Sequence, residues 1–159
     1  MRIEYVKPFI ESVIKTMEMM LGVKPRVQKP YLKGTQPNWG DVSGIIGFAG
    51  EKVIGSVAIS MPQRSALGVY KLMMSDTVTD ITPDIQDSIG ELTNIVAGNA
   101  KNFFAERNMH FNLTVPSVIV GKRHNISYKE NDKVLVIPFD MDNAPFVLEL
   151  LLKVADEPS

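Results

Sequence analysis

Residues 82–104 read TPDIQDSIGELTNIVAGNAKNFF, a pattern that predicts one long amphipathic helix. Thr82 can accept a hydrogen bond from an N–H group of the first turn. Pro83 suits the first helical position, where an N–H group would have no helical partner. On a helical wheel the apolar side chains fall on one face, which should be buried against the rest of the fold. These side chains are Ile85, Ile89, Leu92, Val96, Ala100 and Phe103.

The opposite face of this helix carries a polar row, which spans about 60° of the wheel and has Ile95 at its side. Glu91 and Asn94 are three residues apart, so their carboxylate and carboxamide project side by side. Gly98 costs about 1 kcal/mol relative to alanine in a helix interior and leaves a bare spot where a partner could approach the backbone. A solvated face, or a glycine that admits a second helix of the same chain, would show the same periodicity. The members of the row are Asp87, Glu91, Asn94 and Gly98.

Secondary-structure signals on both sides of this helix complete the fold prediction. The segregated order α–β–β–α–α–β–β–β predicts an α+β fold with an antiparallel, at most mixed, β-sheet and long helices packed on one side. No repeat, low-complexity tract or linker interrupts the chain, so residues 1–159 should form a single domain. Helices are expected at 6–21 and 62–74, strands at 42–49, 53–60, 113–120, 133–139 and 146–154, and one short strand with a loop at 25–40.

Composition excludes several classes of function. The 159 residues are 45% hydrophobic and carry a net charge of −1, which argues against nucleic-acid binding through clustered cations. The absence of cysteine excludes disulfides, thiolate zinc sites, iron–sulfur clusters and cysteine nucleophiles. The two histidines, His110 and His124, are too few for an ordinary catalytic zinc site. We therefore expect no metal site in this chain.

Targeting signals are also missing from the sequence. The first seven residues carry charges where a signal peptide would need an apolar segment. No uncharged run is long and apolar enough to span a bilayer. The sequence thus predicts a cytoplasmic protein that does not act at a membrane.

The spacing of the polar row extends into a longer motif. Asp87-x-x-x-Glu91-x-x-Asn94, followed after twenty-one intervening residues by Pro116, resembles the signature of the CheC, CheX and FliY phosphatases of bacterial chemotaxis. The similarity includes the helix around this row, the segment Thr114–Gly121 and the order of the elements. Because the Glu-x-x-Asn pair occurs once, the chain resembles CheX rather than CheC, whose site is doubled.

This resemblance implies a substrate and a role for each residue. The substrate would be a phosphorylated CheY-like receiver domain, which carries an aspartyl phosphate beside a bound Mg²⁺. By family analogy, Asn94 orients the attacking water and Glu91 pairs with the lysine of the receiver. The Mg²⁺ belongs to the partner, so this chain should need no cofactor. Supporting or partner-binding roles fall to Asp87, Ile95, Gly98 and Pro116.

The resemblance also implies a homodimer formed through the sheets. Residues 146–154 present five apolar side chains on one face, and a strand this apolar must lie inside the sheet or have its edge covered. A monomer whose last strand lies in the interior of the sheet is the alternative to the dimer. A different class of function stays open, namely a non-catalytic receiver-binding or chemotaxis-scaffold module that uses the same helix. A weaker alternative is a small-molecule-binding domain with the glycine-rich hairpin, 42–60, as a pocket wall.

Overall fold

A computed structural model describes residues 2–34 and 40–155, which form three helices and eight strands. The predicted helices and the predicted hairpin are present. Part of the predicted loop at 25–40, including Trp39, lies outside the described residues. The elements are α1 (Ile3–Leu21), β1 (Arg26–Val27), β2 (Tyr31–Leu32), β3 (Gly40–Ala49), β4 (Val53–Met61), α2 (Gln63–Met74), α3 (Pro83–Ala105), β5 (Asn112–Leu113), β6 (Ser117–His124), β7 (Val134–Met141) and β8 (Ala144–Val154).

The strands form one sheet in which every pairing between described strands is antiparallel. Its order is β1-β7-β8-β4-β3-β5, with β2 also paired to β7 and β6 also paired to β3. The apolar strand β8 lies between β7 and β4, so both of its edges are paired inside the sheet. Asp142 and Asn143, both at positive φ, make the two-residue turn that joins β7 to β8.

The helices cover one face of this sheet, as predicted. Alternate side chains of β3 point to that face, among them Ile46 and Phe48, which are almost fully buried. The ring of Phe9 in α1 lies 5.8 Å from that of Phe48, measured between centroids. Thr93 of α3 lies over Gly44 of the same strand. The core is therefore a layer between the sheet and the helices, and it includes residues from all three helices.

The opposite face of the sheet is partly covered by the chain itself. Strand β6 pairs with β3 near one end of the sheet, and β7 lies beyond β8 toward the other end. Residues 125–133, which connect β6 to β7, must therefore cross the sheet. The Lys33 ammonium donates to the Ile126 carbonyl and to Oε1 of Glu149, both at 2.7 Å. Burial, with the nearby Glu149 carboxylate, raises the pKa of Tyr128, whose hydroxyl bonds to that carboxylate. This buried polar cluster attaches the connection to the sheet.

Two predicted strands are wrong in detail, and the first is the single short strand at 25–40. The structure has two strands there, β1 and β2, which both pair with β7. Between them, Gln28 N donates to the carbonyl of Pro138 at 2.8 Å. Proline has no N–H group to donate in return, so the ladder is interrupted at this point of the edge.

The second correction concerns residues 113–120, which were predicted as one strand. Leu113 pairs with Phe48, whereas Ser117 pairs with Ile45, so the register changes by one residue between them. Thr114 N donates to the carbonyl of Gly47, so Val115 and Pro116 together stand opposite the single residue Ile46. This is the arrangement of a β-bulge, and it divides the predicted strand into β5 and β6.

Candidate functional site

The helix α3 is held firmly at its start and along its buried side. Oγ1 of Thr82 accepts a hydrogen bond of 3.3 Å from Ile85 N, which confirms the predicted N-cap. Two hydroxyls on the buried side donate back along the helix: Ser88 Oγ to the Asp84 carbonyl (3.0 Å) and Thr93 Oγ1 to the Ile89 carbonyl (2.7 Å). The polar groups on this side are thus satisfied within the helix.

The apolar stripe of α3 is buried as predicted except at its end. Phe103 was expected in the core but is only half-buried, with the Arg107 guanidinium 4.9 Å from its ring centroid. Phe104 is fully buried instead, and its ring lies 5.6 Å from both Phe9 and Phe111. This aromatic cluster, contributed by three separate segments, selects Phe104 over its neighbour.

The predicted polar row faces outward. Asp87, Glu91 and Asn94 are exposed, and Ile95 and Gly98 are partly exposed. Within the described residues, Glu91 and Asn94 make no side-chain hydrogen bond or ion pair, so their polar atoms can meet a partner. The two residues are separated by about 4.5 Å along the helix axis.

Gly98 leaves an open place on this row. A Cβ built on Gly98 has no other atom within 4 Å, apart from the neighbouring helix backbone. A second helix of the described chain therefore does not pack at this glycine, which excludes one of the explanations left open by periodicity. The surface is accessible to another molecule.

The edge strand β6 runs beside α3 and fixes the position of Pro116. A Cβ on Gly90 would lie 3.2 Å from Cγ2 of Val118, so this face of the helix contacts the strand. Thr93 lies over Gly44, and Phe104, near the end of α3, joins the aromatic cluster that includes Phe48. The helix therefore runs in the same direction as β3, and so antiparallel to β6.

This direction brings the bulge beside the turn that carries Asn94. Three residues of extended chain, from Val118 back to Val115, span about 10 Å, which equals the rise of about seven helical residues. The bulge is therefore level with residues 94–98. Asn94 is rotated by about 40° from Gly90, the residue that faces β6, so Asn94 is the member of the polar row that lies closest to the strand edge.

The glycines of the β3–β4 hairpin do not form a pocket wall. Thr93 occupies the space beside Gly44, and the methyl group of Thr114 lies 3.4 Å from a Cβ built on Gly47. A Cβ on Gly55 would meet the ring of Phe48 at 2.9 Å. These glycines permit close packing within the protein, so the small-molecule alternative has no cavity at this place.

One residue that sequence reasoning missed is Asp41, which joins three elements. Its Oδ2 accepts a 2.7 Å hydrogen bond from Gln63 N at the start of α2, and its Oδ1 accepts a 2.9 Å bond from Arg123 N. The Arg123 N–H group, with smaller contributions from Gln63 N–H and the His124 and Arg123 charges, holds the pKa of Asp41 below its usual value. In the sequence, Asp41 is a single aspartate before the strand predicted at 42–49, and this pattern does not indicate such a role.

A serine–histidine contact lies on the other face of the sheet. Nε2 of His124 is 2.6 Å from Oγ of Ser43, which is also 2.6 Å from Oγ of Ser60. The Gly121 carbonyl can only accept, so Nδ1 of His124 donates to it, at 2.8 Å. Ser43 is completely buried, so no substrate can reach its hydroxyl. This network is structural.

Neither a metal site nor a membrane helix stands out in the described residues. In residues 2–34 and 40–155, no three side chains of histidine, cysteine, aspartate or glutamate come together as metal ligands. No helix in those ranges combines the length and apolar character needed to cross a bilayer.

Comparisons with known proteins agree with the fold and with the family resemblance. Residues 42–140 match the family model described as Chemotaxis phosphatase CheX. This range contains all of α3 as well as Pro116. The CheY-P phosphatase CheX of Thermotoga maritima is 27% identical over 150 residues, covering 93% of this chain and 95% of that protein.

Solved structures show the same architecture. A CheC-like superfamily protein from Shewanella sp. PV-4 superposes with a TM-score of 0.90 at 29% identity, covering 96% of this chain and 99% of that chain. A chain of the CheX–CheY–BeF3–Mg²⁺ complex from Borrelia burgdorferi gives a TM-score of 0.80 at 28% identity, covering 96% and 99% respectively. Both similarities extend over nearly the whole length.

Proposed function

This chain belongs to the CheX family of chemotaxis phosphatases, and we propose that it hydrolyses the aspartyl phosphate of a CheY-like receiver domain. The observation that carries the proposal is the pair Glu91 and Asn94, which are exposed, make no side-chain hydrogen bond or ion pair with the described residues, and lie on a helix whose other side is buried. The pair lies inside the range that matches the family model. The homologue from Thermotoga maritima and the Borrelia burgdorferi complex support a phosphorylated receiver as the substrate.

In the proposed reaction a water molecule attacks the phosphorus of the acyl phosphate. The bond from phosphorus to the aspartyl oxygen breaks, and the products are a free carboxylate on the receiver and inorganic phosphate. The protein has little covalent chemistry to perform, so its main contribution is to hold the water in line with the breaking bond.

Asn94 is suited to hold this water. A carboxamide both donates and accepts hydrogen bonds, and it carries no charge that would repel the phosphoryl oxygens. Its place on the side of the polar row closest to the strand edge restricts the directions from which a receiver can approach it. The neighbouring hydroxyls of Thr93 and Ser88 donate within the helix.

Glu91 supplies the complementary charge. We assign it to an ion pair with the lysine of the receiver, because its carboxylate is exposed and has no ion-pair partner among the described residues. The Mg²⁺ that neutralises phosphoryl charge would come with the receiver. Asp87, Ile95, Gly98 and Pro116 surround the pair and are assigned to supporting contacts.

Replacement of Asn94 by alanine tests the proposal. Asn94→Ala should lower the turnover of phosphorylated receiver at least a hundredfold, which corresponds to about 2.7 kcal/mol of barrier. Asn102→Ala, a change at another exposed asparagine of α3, is the matched control and should retain turnover. Wild-type turnover in Asn94→Ala would reject the catalytic assignment. Receiver binding without hydrolysis by the unmodified protein would favour the scaffold alternative.

We also propose a homodimer, and we place its interface at the β1–β2 edge. The apolar strand β8 has two paired neighbours, so it offers no free edge. The β1–β2 edge is at the other end of the sheet from β6 and exposes Val27, Tyr31 and Leu32. An interface there would leave each α3 facing outward.

Light scattering tests this assembly. The unmodified protein should have twice the mass of 17.7 kDa, and Leu32→Asp should shift it toward that single-chain mass. A single-chain mass for the unmodified protein at micromolar concentration would reject the dimer. A Leu32→Asp dimer would instead reject the proposed edge.

A further inference from the structure

Val115 is more exposed than any other large apolar side chain in residues 2–34 and 40–155. It is 85% exposed, compared with 72% for Ile3 near the start of α1. Single apolar side chains on a surface are common, so exposure alone indicates nothing. Val115 is distinguished by its position beside α3 and by the rigidity of the backbone that carries it.

The backbone on both sides of Val115 is fixed by hydrogen bonds. Thr114 N donates to the Gly47 carbonyl at 2.9 Å, and Gly47 N donates to Thr114 Oγ1 at the same distance. Beyond the bulge, pairing with β3 resumes at Ser117. Pro116 restricts its own φ and directs Val115 into an extended conformation. The backbone that carries this exposed side chain is thus held in place by the sheet.

The bulge also determines which side of the sheet Val115 occupies. Leu113 and Val118, on either side of it, stand opposite Phe48 and Gly44, which both face the helices. Val115 and Pro116 stand opposite Ile46, which faces the same way. The pair therefore lies on the helix side of the sheet edge, level with residues 94–98.

We propose that Val115 is a docking residue for the receiver domain and that it determines affinity rather than the rate of the chemical step. This inference rests on the proposed function. We expect the receiver to bind at this surface because Val115 borders the turn that carries Asn94, and because Ile95 provides apolar surface beside the polar row. The receiver would present an apolar patch next to its lysine.

Such a patch has a physical role beyond contact area. Apolar side chains around a polar centre exclude bulk water when the complex forms. A lower local dielectric strengthens the ion pair of Glu91 with the lysine of the receiver. Val115 would act on the side of Asn94 that faces the strand edge. Ile95, the apolar side chain that the helix provides, lies on the other side of the polar row.

Binding measurements with a stable mimic of the phosphorylated state test this role. The probe is the CheY-like receiver domain of the same organism, loaded with Mg²⁺ and beryllofluoride. Val115→Asp should raise the Kd at least tenfold, and Val115→Ala should raise it less. Ile54→Asp, at an exposed apolar position on the other face of the sheet, is the matched control and should leave the Kd unchanged.

Kinetics and mass separate docking from other roles. The loss in Val115→Asp should appear in KM, whereas a loss confined to kcat would overturn the proposal. An unchanged Kd, or a Val115→Asp protein that loses its dimeric mass, would also overturn it. If the unmodified protein binds the receiver but does not hydrolyse the phosphate, the proposed function fails while the Kd comparison still decides the role of Val115. Absence of any binding by the unmodified protein would reject both.

Discussion

Gly44 of β3 lies directly under Thr93 of α3. A Cβ on Gly44 would overlap with Oγ1 of Thr93 and would come within 3.1 Å of the Ile89 carbonyl. The helix can therefore approach the sheet this closely only because residue 44 is glycine. Since Thr93 precedes Asn94, the height of Asn94 above the sheet depends on a buried residue outside the proposed receiver-binding surface.

Gly44→Ala should displace α3 and affect both folding and activity. Overpacking of this kind destabilises by about 1–3 kcal/mol, which urea unfolding would measure. Turnover of phosphorylated receiver should fall because Asn94 moves. Thr93→Ala removes the overlapping oxygen, so the double variant should recover part of both losses. If the double variant behaves as the sum of the two single variants, the Gly44–Thr93 contact is not the cause.

Gly98→Ala should raise the stability of the protein but weaken receiver binding, whereas Gly44→Ala should lower both stability and activity. Among the described residues, nothing lies within 4 Å of the added Cβ apart from the helix backbone, so alanine should stabilise the free protein by up to about 1 kcal/mol. The same methyl group should hinder the receiver and weaken binding. Gly68→Ala in α2 also enters open space and is the matched control, with the gain in stability but no loss of affinity. Equal affinity of both variants would contradict the role assigned to Gly98.

Glu91→Ala should weaken the complex without unfolding the protein. Removal of one partner from a desolvated ion pair costs about 2–5 kcal/mol of binding. Glu91→Gln keeps the shape of the side chain and should lose less. Unfolding free energies should agree among the three proteins because Glu91 makes no ion pair with the described residues. Equal receiver affinity and equal turnover in all three would reject the ion pair.

Asp41→Asn should destabilise the protein in a pH-dependent way. Both backbone N–H groups lose a charged acceptor, and one of them loses its acceptor altogether because the amide NH2 can only donate, which should cost about 1–2 kcal/mol near neutral pH. Because the pKa of Asp41 is lowered in the folded state, the carboxylate stabilises the fold above its unfolded pKa of about 3.9. This advantage is lost as the pH falls through the folded-state value.

Urea unfolding of both proteins at neutral pH and at about pH 3 would measure this trend. The difference in unfolding free energy should shrink at the lower pH. A difference that stays constant, or that grows on acidification, would show that the charge of Asp41 is not responsible.

Local signals explain why much of the fold was predictable. The cap at Thr82, the proline at the helix start and the turn of the β3–β4 hairpin each depend on residues close in sequence. The exposed row on α3 follows from helix periodicity in the same way. Its chemical interpretation required the family resemblance, because a solvated helix face has the same pattern.

The errors occurred where distant segments decide the outcome. Glu149 lies on the face of β8 opposite its apolar side chains, yet it is fully buried and paired with Lys33. The crossing connection that covers it has no periodic signal. The bulge at Val115 likewise depends on two registers against β3, and the burial of Phe104 depends on Phe9 and Phe111. Periodicity within one segment contains none of this information.

The position of β8 between β7 and β4 has a consequence for the order of folding. The β3–β4 and β7–β8 hairpins are local, but the pairing of β4 with β8 joins residues such as Ser60 and Val147, roughly 90 positions apart. During synthesis, α3 therefore leaves the ribosome well before the sheet beneath it can be completed. The surface that carries Glu91 and Asn94 becomes rigid only when the two hairpins have joined, so phosphatase activity would report late assembly of the sheet.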